Sequence, residues 1–370
     1  MSIASRHWNP FHLCFILAPE DIHVGGFLFS FHSSRLLFIM DPYIIFGILL
    51  ALALLYNFLN GFHDAANVVA TIIASRAMSA RAALWLAAAA NFVGPLLFGV
   101  AVATTIGKDL VDPSAITITA LIAALTSANL WNIVTWWFGI PSSSSHALAG
   151  GLVGAALIYG GVAIIKMDGL MKIALALFLS PILGFLIGWA LLKLTYWLAR
   201  GATPKVNKSF NRAQVLTATA LALSHGANDA QKAMGIIVMG LVTLGFQDHF
   251  YVPDWVIIIS AIPIGLGTAS GGWRIIHTLG GKFYRIRPVH SFTSQLASSL
   301  VIFGASILGG PVSTTHVVSS TIVGVGAAER KSQVRWLNLT DIAIAWLITV
   351  PITALLAALL YPILRIFLGA

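Results

Sequence analysis

The apolar run from residue 43 to residue 75 is longer than one membrane crossing requires, and its centre is polar. A straight span needs only about 20 residues. In the middle of the run, Asn60-Gly-Phe-His-Asp64-Ala-Ala-Asn67 places a carboxylate, a histidine and two carboxamides where a membrane helix should be greasy. The pattern returns 165 residues later as Ser224-His225-Gly226-Ala227-Asn228-Asp229-Ala230-Gln231-Lys232, with Gly226, Asp229 and Ala230 answering Gly61, Asp64 and Ala65. A charge in hydrocarbon costs at least ~2.5–3.5 kcal/mol, so an intramembrane carboxylate marks a functional site by default. A lone Asp also serves to tie two helices together; a duplicated polar cluster asks for more.

Nine further apolar segments follow, at roughly 82–107, 115–139, 142–160, 171–199, 213–245, 255–272, 290–309, 312–328 and 338–368. They are far longer than barrel strands, which need about 9–11 residues. Only 9% of the chain is charged, against about 25% in soluble domains. The sequence therefore predicts an all-α polytopic membrane protein. The runs 43–75 and 213–245, longest for one crossing, predict broken or strongly tilted helices. The net charge of +9 sits mostly in short loops. The positive-inside rule accounts for it there without nucleic acid as a partner. A single cysteine, Cys14, excludes an internal disulfide framework. Nothing calls for a cofactor.

Residues 1–39 stand apart. They hold His7, His12, His23 and His32, with Pro10 and Pro19, and lack the charged, apolar and small-residue regions of a signal peptide. Met40-Asp-Pro resembles a natural start, so 1–39 is expected to be a leader dispensable for function. The histidine spacing is too irregular for a metal site.

A second duplicated motif fixes the repeat. Pro141-Ser-Ser-Ser-Ser-His146 is answered 170 residues on by Pro311-Val-Ser-Thr-Thr-His316, and Gly154 by Gly324. Two motifs in one order predict two copies of one unit, 40–200 and 212–370, joined by the connector 201–211. Corresponding loops carry opposite charge. Arg76 and Arg81 match Asp248 and Asp254; Lys108, Asp109 and Asp112 match Arg274, Lys282, Arg285 and Arg287. By the positive-inside rule these loops lie on opposite faces, which makes the repeat inverted, as in many secondary transporters. The basic connector region, with Arg200, Lys205, Lys208 and Arg212, is then cytoplasmic in a multi-pass protein of the cell (inner) membrane, with both termini non-cytoplasmic. The loop 161–170, with Lys166 and Asp168, fits this poorly. The segments around Pro141 and Pro311 must form paired re-entrant or short hairpins for the topology to close.

These motifs suggest chemistry. Proline suits the first turn of a helix and Ser/Thr its cap. Free N–H groups and the positive end of the helix dipole collect there, so Ser143, Ser144, Ser145, Ser313, Thr314 and Thr315 describe two anion-binding tips. Ser/Thr packing glue is the plainer alternative. Of the twelve Asp and Glu, all but Asp64 and Asp229 fall in the leader, the loops or the ends of segments. Asp64 and Asp229 suit a coupling cation, a proton or sodium, helped by Asn60, Asn67, Asn228 and Gln231. If the cation is sodium, the two carboxylates are its metal ligands. Lys232 balances one charge or reaches the anion. An anion beside two carboxylates is repelled unless a cation intervenes, so the two should move together. His146 and His316 read as struts; His63 and His225, each within four positions of a motif Asp, are open between strut and proton relay.

At NGFHDAANVVAT, SHGANDAQKAMGI, PSSSSHALAGGLVG and PVSTTHVVSSTIVG the sequence resembles the inorganic phosphate transporter (PiT) family, across nearly everything after residue 40. The resemblance implies cation-coupled phosphate uptake. It places Asp64, Asn67, Asn228 and Asp229 with Ser143, Ser144, Ser145, Ser313, Thr314 and Thr315 at the substrate and ion site. Sodium-coupled animal-type members carry a glutamate after the first motif and another before the second tip; here Asn91 and Gln295 stand at those positions. The large cytoplasmic insert of those members is missing too. The chain is thus similar to the bacterial low-affinity permease type, generally taken as proton-coupled, with a divalent metal–phosphate complex as a further substrate form. A homo-oligomer is left open. Sulfate transport is the alternative within transport, and a channel is another. From a different class, two membrane Asp suggest an intramembrane aspartyl protease, but no Gly-x-Gly-Asp context is present and an acid dyad leaves the hydroxyl tips unexplained.

Overall fold

The computed structural model describes residues 21–368 apart from 25–26, 33–34, 114, 204, 273 and 277–285. Most of the expected leader, and Lys282 and Arg285 of the basic loop, lie outside the described residues. Ahead of the helical body run three short antiparallel strands, β1 (Asp21–Val24), β2 (Phe27–His32) and β3 (Arg35–Met40).

From there on the protein is helical, and polar caps mark several starts. Asp41 accepts the Tyr43 N–H (2.7 Å) and Pro42 occupies the first turn of α1 (Pro42–Ala74). Ser79 caps α2 (Ala80–Leu97), and Thr117 caps α4 (Ile118–Phe138). The short α3 (Ala101–Thr104) between them continues into a π-helical turn at Thr105–Asp109. The first unit closes with α5 (Ser144–Gly160) and α6 (Met167–Leu198). The second comprises α7 (Val206–Thr243), α8 (Asp254–Ser270), α9 (Pro288–Ile307), α10 (Thr314–Arg330) and α11 (Trp336–Leu368). Among the described residues, α1, α2, α4, α6 and the Ile342–Leu368 part of α11 are long and apolar enough to cross a membrane.

Of the two forms expected for these runs, broken or strongly tilted, breaks at the acidic motifs do not occur. α1 and α7 pass through them uninterrupted, over 33 and 38 residues. At 1.5 Å per residue these helices are about 50 and 57 Å long, well beyond a 30 Å hydrocarbon core. A continuous helix keeps every backbone group paired, which lipid demands. The motif glycines serve close packing instead of unwinding. A Cβ on Gly61 would strike the Ile264 carbonyl on α8, and one on Gly226 the Asn91 carbonyl on α2.

The chain breaks instead at the two proline tips. Gly139 (φ +66°) ends α4 and Gly309 (φ +70°) follows α9. Beyond them the Ser142 N–H donates to the Ile140 carbonyl and the Val312 N–H to the Gly310 carbonyl, both at 2.9 Å. Ser143 and Ser313 then cap α5 and α10, each accepting the N–H of His146 or His316 at 3.2 Å. Both tips thus have one backbone design.

Packing repeats as well. α1 lies on α8 while α7 lies on α2; α6 lies on α10 while α11 lies on α5. The matching helices of the two units therefore make matching contacts, and each unit is held mainly by the other. The apolar core falls into two clusters, one including Ile45–Tyr56 side chains of α1 and the other its Ala65–Ile72 side chains. The acidic motifs lie at the seam. In the loop 161–170 Lys166 pairs with Asp112 (3.4 Å), and just beyond it Lys172 pairs with Asp109 (3.5 Å).

Candidate functional site

Asp64 and Asp229, 165 positions apart, meet at one hydroxyl. Thr314 Oγ1 lies 3.1 Å from Asp64 Oδ2 and 3.0 Å from Asp229 Oδ2. One hydroxyl carries one proton, so it serves one carboxylate at a time. Thr315 donates to Asp64 Oδ1 (3.1 Å) and accepts from Asn67 Nδ2 (3.0 Å). Both acids are buried, at 2% and 1% exposure. The α10 tip therefore reaches the acids of both units.

The α5 tip enters through Lys232, which is fully buried. Its ammonium pairs with Asp229 Oδ1 and donates to Ser145 Oγ (2.6 Å) and to the Val312 carbonyl (3.1 Å). A buried charge is tolerated only when paired in this way. Two carboxylates and one ammonium leave an excess negative charge that favours a cation.

His225 lies between the acids. Its Nε2 is 3.2 Å from Asp229 Oδ2 and 3.8 Å from Asp64 Oδ2. Its Nδ1 is 3.0 Å from Asn91 Oδ1, whose amide donates to Thr268 Oγ1 (2.7 Å). That partner assigns the Nδ1 as a donor. The Nε2 lone pair then faces two carboxylates unless a proton or a metal ion stands there. Ligand atoms of Asp64, His225 and Asp229 all lie within 4.8 Å of one another, a geometry that would hold an ion. His63 supports Asp64 from the far side, Nδ1 to Oδ1 at 2.9 Å, with its Nε2 3.5 Å from Thr135 Oγ1.

Not every residue named from the sequence joins this cluster. Ser143 and Ser313 spend their oxygens as helix caps. Ser144 Oγ is buried without a partner in the protein, as are Asn67 Oδ1 and Asn228 Oδ1. Asn228 Nδ2 donates to Ser306 Oγ (2.9 Å) and the Gly310 carbonyl (3.1 Å), holding the second tip. Gln231 is turned elsewhere: its Oε1 accepts the Val102 and Ala103 N–H groups (2.8 and 3.3 Å), so it caps α3. Asn60 lies a turn before Asp64 and makes no hydrogen bond to the acids or to the tips. The tip histidines touch each other, His146 and His316 ring centroids being 4.4 Å apart, and His316 stacks on Trp346 at 3.9 Å.

The residues at the two departures from the animal-type pattern are also buried and paired. Gln295 accepts from Thr217 (2.6 Å) and donates to Thr71 (3.1 Å). Asn91 is the orienting partner of His225, a role sequence reasoning did not assign. Tyr56, whose hydroxyl donates to the Ser144 carbonyl (3.1 Å), and Ser306 were likewise missed. A tyrosine and a serine inside apolar helices give no signal of which neighbour they meet.

The chain is similar to known proteins. The profile of the Phosphate transporter family matches residues 60–205 and 199–357. A Rhizobium meliloti protein named for low-affinity inorganic phosphate transport is 47% identical over 85% of this chain and 94% of its own length. A Bacillus subtilis protein named for the same activity is 45% identical over 88% of this chain and 99% of its own. Among solved structures, one described as the sodium-dependent phosphate transporter superposes with a TM-score of 0.81, at 26% identity, covering 87% of this chain and 99% of that one. These relatives are named as transporters, not as enzymes, which sets the aspartyl protease aside. The chain belongs to the phosphate transporter family.

Proposed function

We propose that this protein takes up inorganic phosphate by symport with a cation, through alternating access around the Asp64–Asp229 cluster. The observation that carries the reading is Thr314, one hydroxyl at about 3 Å from both acids on the tip of a helix. Hydroxyls and helix N-termini suit an oxyanion, and the acids suit the cation that must accompany it. Ser144 Oγ, Asn67 Oδ1 and Asn228 Oδ1, buried and unpartnered in the protein, supply further polar atoms for substrate or ion.

His225 supports a proton as the coupling ion, since a protonated Nε2 would donate to Asp229. The name of the solved relative favours sodium. The same three ligands would also accept a divalent metal travelling with phosphate. Uptake of labelled phosphate into proteoliposomes under separately imposed proton and sodium gradients decides between them. Uptake indifferent to every cation gradient would reject symport.

The matched helix contacts and the opposite charge of matching loops support an inverted repeat, 40–200 against 212–370, with the connector 201–211 cytoplasmic and both termini outside. Protease protection of tags placed in the connector tests that orientation.

Sulfate, the other tetrahedral oxyanion, should compete poorly; strong inhibition by sulfate would overturn phosphate as substrate. Ser144→Ala is expected to raise the apparent KM for phosphate about tenfold, the worth of one hydrogen bond to a charged group. The yield of folded protein should hold, because Ser144 Oγ has no partner in the protein to lose. An unchanged KM counts against contact.

A further inference from the structure

From the acids a polar file runs toward the connector. Asn67 lies about one turn beyond Asp64 on α1, Thr71 the next, and Ser75 caps the end. Thr71 Oγ1 accepts from Gln295 Nε2 on α9 (3.1 Å), and Gln295 Oε1 accepts from Thr217 Oγ1 on α7 (2.6 Å). One turn nearer the connector, Ser75 Oγ donates to Gln214 Oε1 (2.6 Å). The Gln214 amide donates in turn to Asn211 Oδ1 (3.2 Å), where the connector ends. Thr71, Thr217, Gln295 and Gln214 are buried, while Ser75 and Asn211 are half-buried. The three helices that carry the file, α1, α7 and α9, pack against one another in every pair.

The offsets that relate the motifs name the matching positions in the other half. With 165 for α1 and α7 and 170 for α4 and α9, Thr71, Thr217 and Gln295 answer to Ile236, Leu52 and Leu125. Ser75 and Gln214 answer to Gly240 and Leu49. The match is physical too. The Leu49 side chain occupies the place a Cβ on Gly240 would take, so this pair touches as Gln214 and Ser75 do. Leu49, Leu125 and Ile236 are fully buried in the apolar core, with Leu52 packed against it. Two mirror-related seams therefore lead away from the acids, a polar one to the connector face and a dry one to the opposite face. Packing glue alone gives no reason for polar pairs in one half and aliphatic pairs in the other.

The two seams part at different cost. Hydrogen-bonded side chains that separate exchange each other for water with little net loss. Aliphatic side chains that separate are exposed to water with nothing gained. We propose that the Ser75–Gln214 hydrogen bond is the inner gate of the transport path. Phosphate leaves past it along Thr71, Thr217 and Gln295, and the empty protein opens more readily to the connector face than to the other. The proposal deepens the symport reading and rests on it only for what passes the gate.

The test is sided thiol labelling in vesicles of both orientations, without phosphate, by a charged methanethiosulfonate that does not cross the membrane. Cys14→Ser removes the one native thiol. On that background Thr71→Cys should react from the connector side at least ten times faster than its mirror position, Ile236→Cys, reacts from the opposite side. The double variant Ser75→Gly, Gln214→Leu rewrites the inner pair as the outer one. It should slow both the labelling of Thr71→Cys and the rate of phosphate uptake tenfold or more, with phosphate affinity by calorimetry within twofold of the wild type. Gln214→Leu alone repeats the test should the double variant not fold. The gate is overturned by equal rates at the two cysteines, by no reaction at Thr71→Cys, or by a dry variant that labels and transports as the wild type does. Labelling needs no transport. One-sided reaction in a protein that moves no phosphate would keep the gate and reject the symport, whereas normal uptake without one-sided reaction would do the reverse.

Discussion

Asp64→Asn and Asp229→Asn are each expected to reduce cation-driven phosphate uptake by about a hundredfold or more, the scale of losing one member of a buried charged hydrogen-bonded group. Asp229→Asn also leaves the buried Lys232 unpaired and should lose stability, whereas in Asp64→Asn, where asparagine keeps the size of the side chain and an acceptor for Thr314, helix packing should survive. The negative charge does not. Either substitution should suffice, because Thr314 and His225 contact both acids and the cluster therefore acts as one unit. Labelled phosphate uptake, normalised to folded protein in the membrane, measures the effect. Normal transport by either variant would remove that acid from the cation site.

Lys232→Met is expected to destabilise the fold severely. The lysine is fully buried, and it is the ammonium that balances Asp229 while bridging to Ser145 and Val312 of the two tips. Methionine fills much of the same volume without charge. Removing one partner of a buried pair strands the other, at about 3–5 kcal/mol. The double variant Lys232→Met, Asp229→Asn should recover most of the lost thermal stability but none of the transport. A single variant that melts with the wild type, or a double variant no better than the single, would contradict the pairing.

Much of this was legible in the sequence, for a physical reason. Carboxylates and hydroxyl runs are so costly in lipid that their positions advertise themselves, and duplication of Asp64 as Asp229 and of the Pro141 tip as the Pro311 tip identified the meeting groups. What could not be read was direction. A helical period gives the face on which a residue lies, not the neighbour it faces. Gln231, two positions from Asp229, turns to cap α3, and Asn91 turns to orient His225. The length of the runs 43–75 and 213–245 left breaks and tilt both open, because it does not show that Gly61 and Gly226 each admit the backbone of a neighbouring helix while the helix runs on. Ser143 and Ser313 carried their role in plain view, since a serine two residues after a tip proline is a natural cap, but the hydroxyl run around them drew them into the substrate set.

The central claim is that one anion is held by hydroxyls from both units at once. Phosphate affinity of the purified protein, measured by calorimetry for the wild type, Ser144→Ala, Thr314→Val and the double variant, tests it most directly. Ser144 belongs to the α5 tip and Thr314 to the α10 tip, in matching positions of the two units. If both contact the same phosphate, the two losses should depart from additivity by about 0.5 kcal/mol or more, as neighbouring groups on one ligand do. Strict additivity, or a loss of affinity from only one of the two substitutions, would contradict a shared pocket.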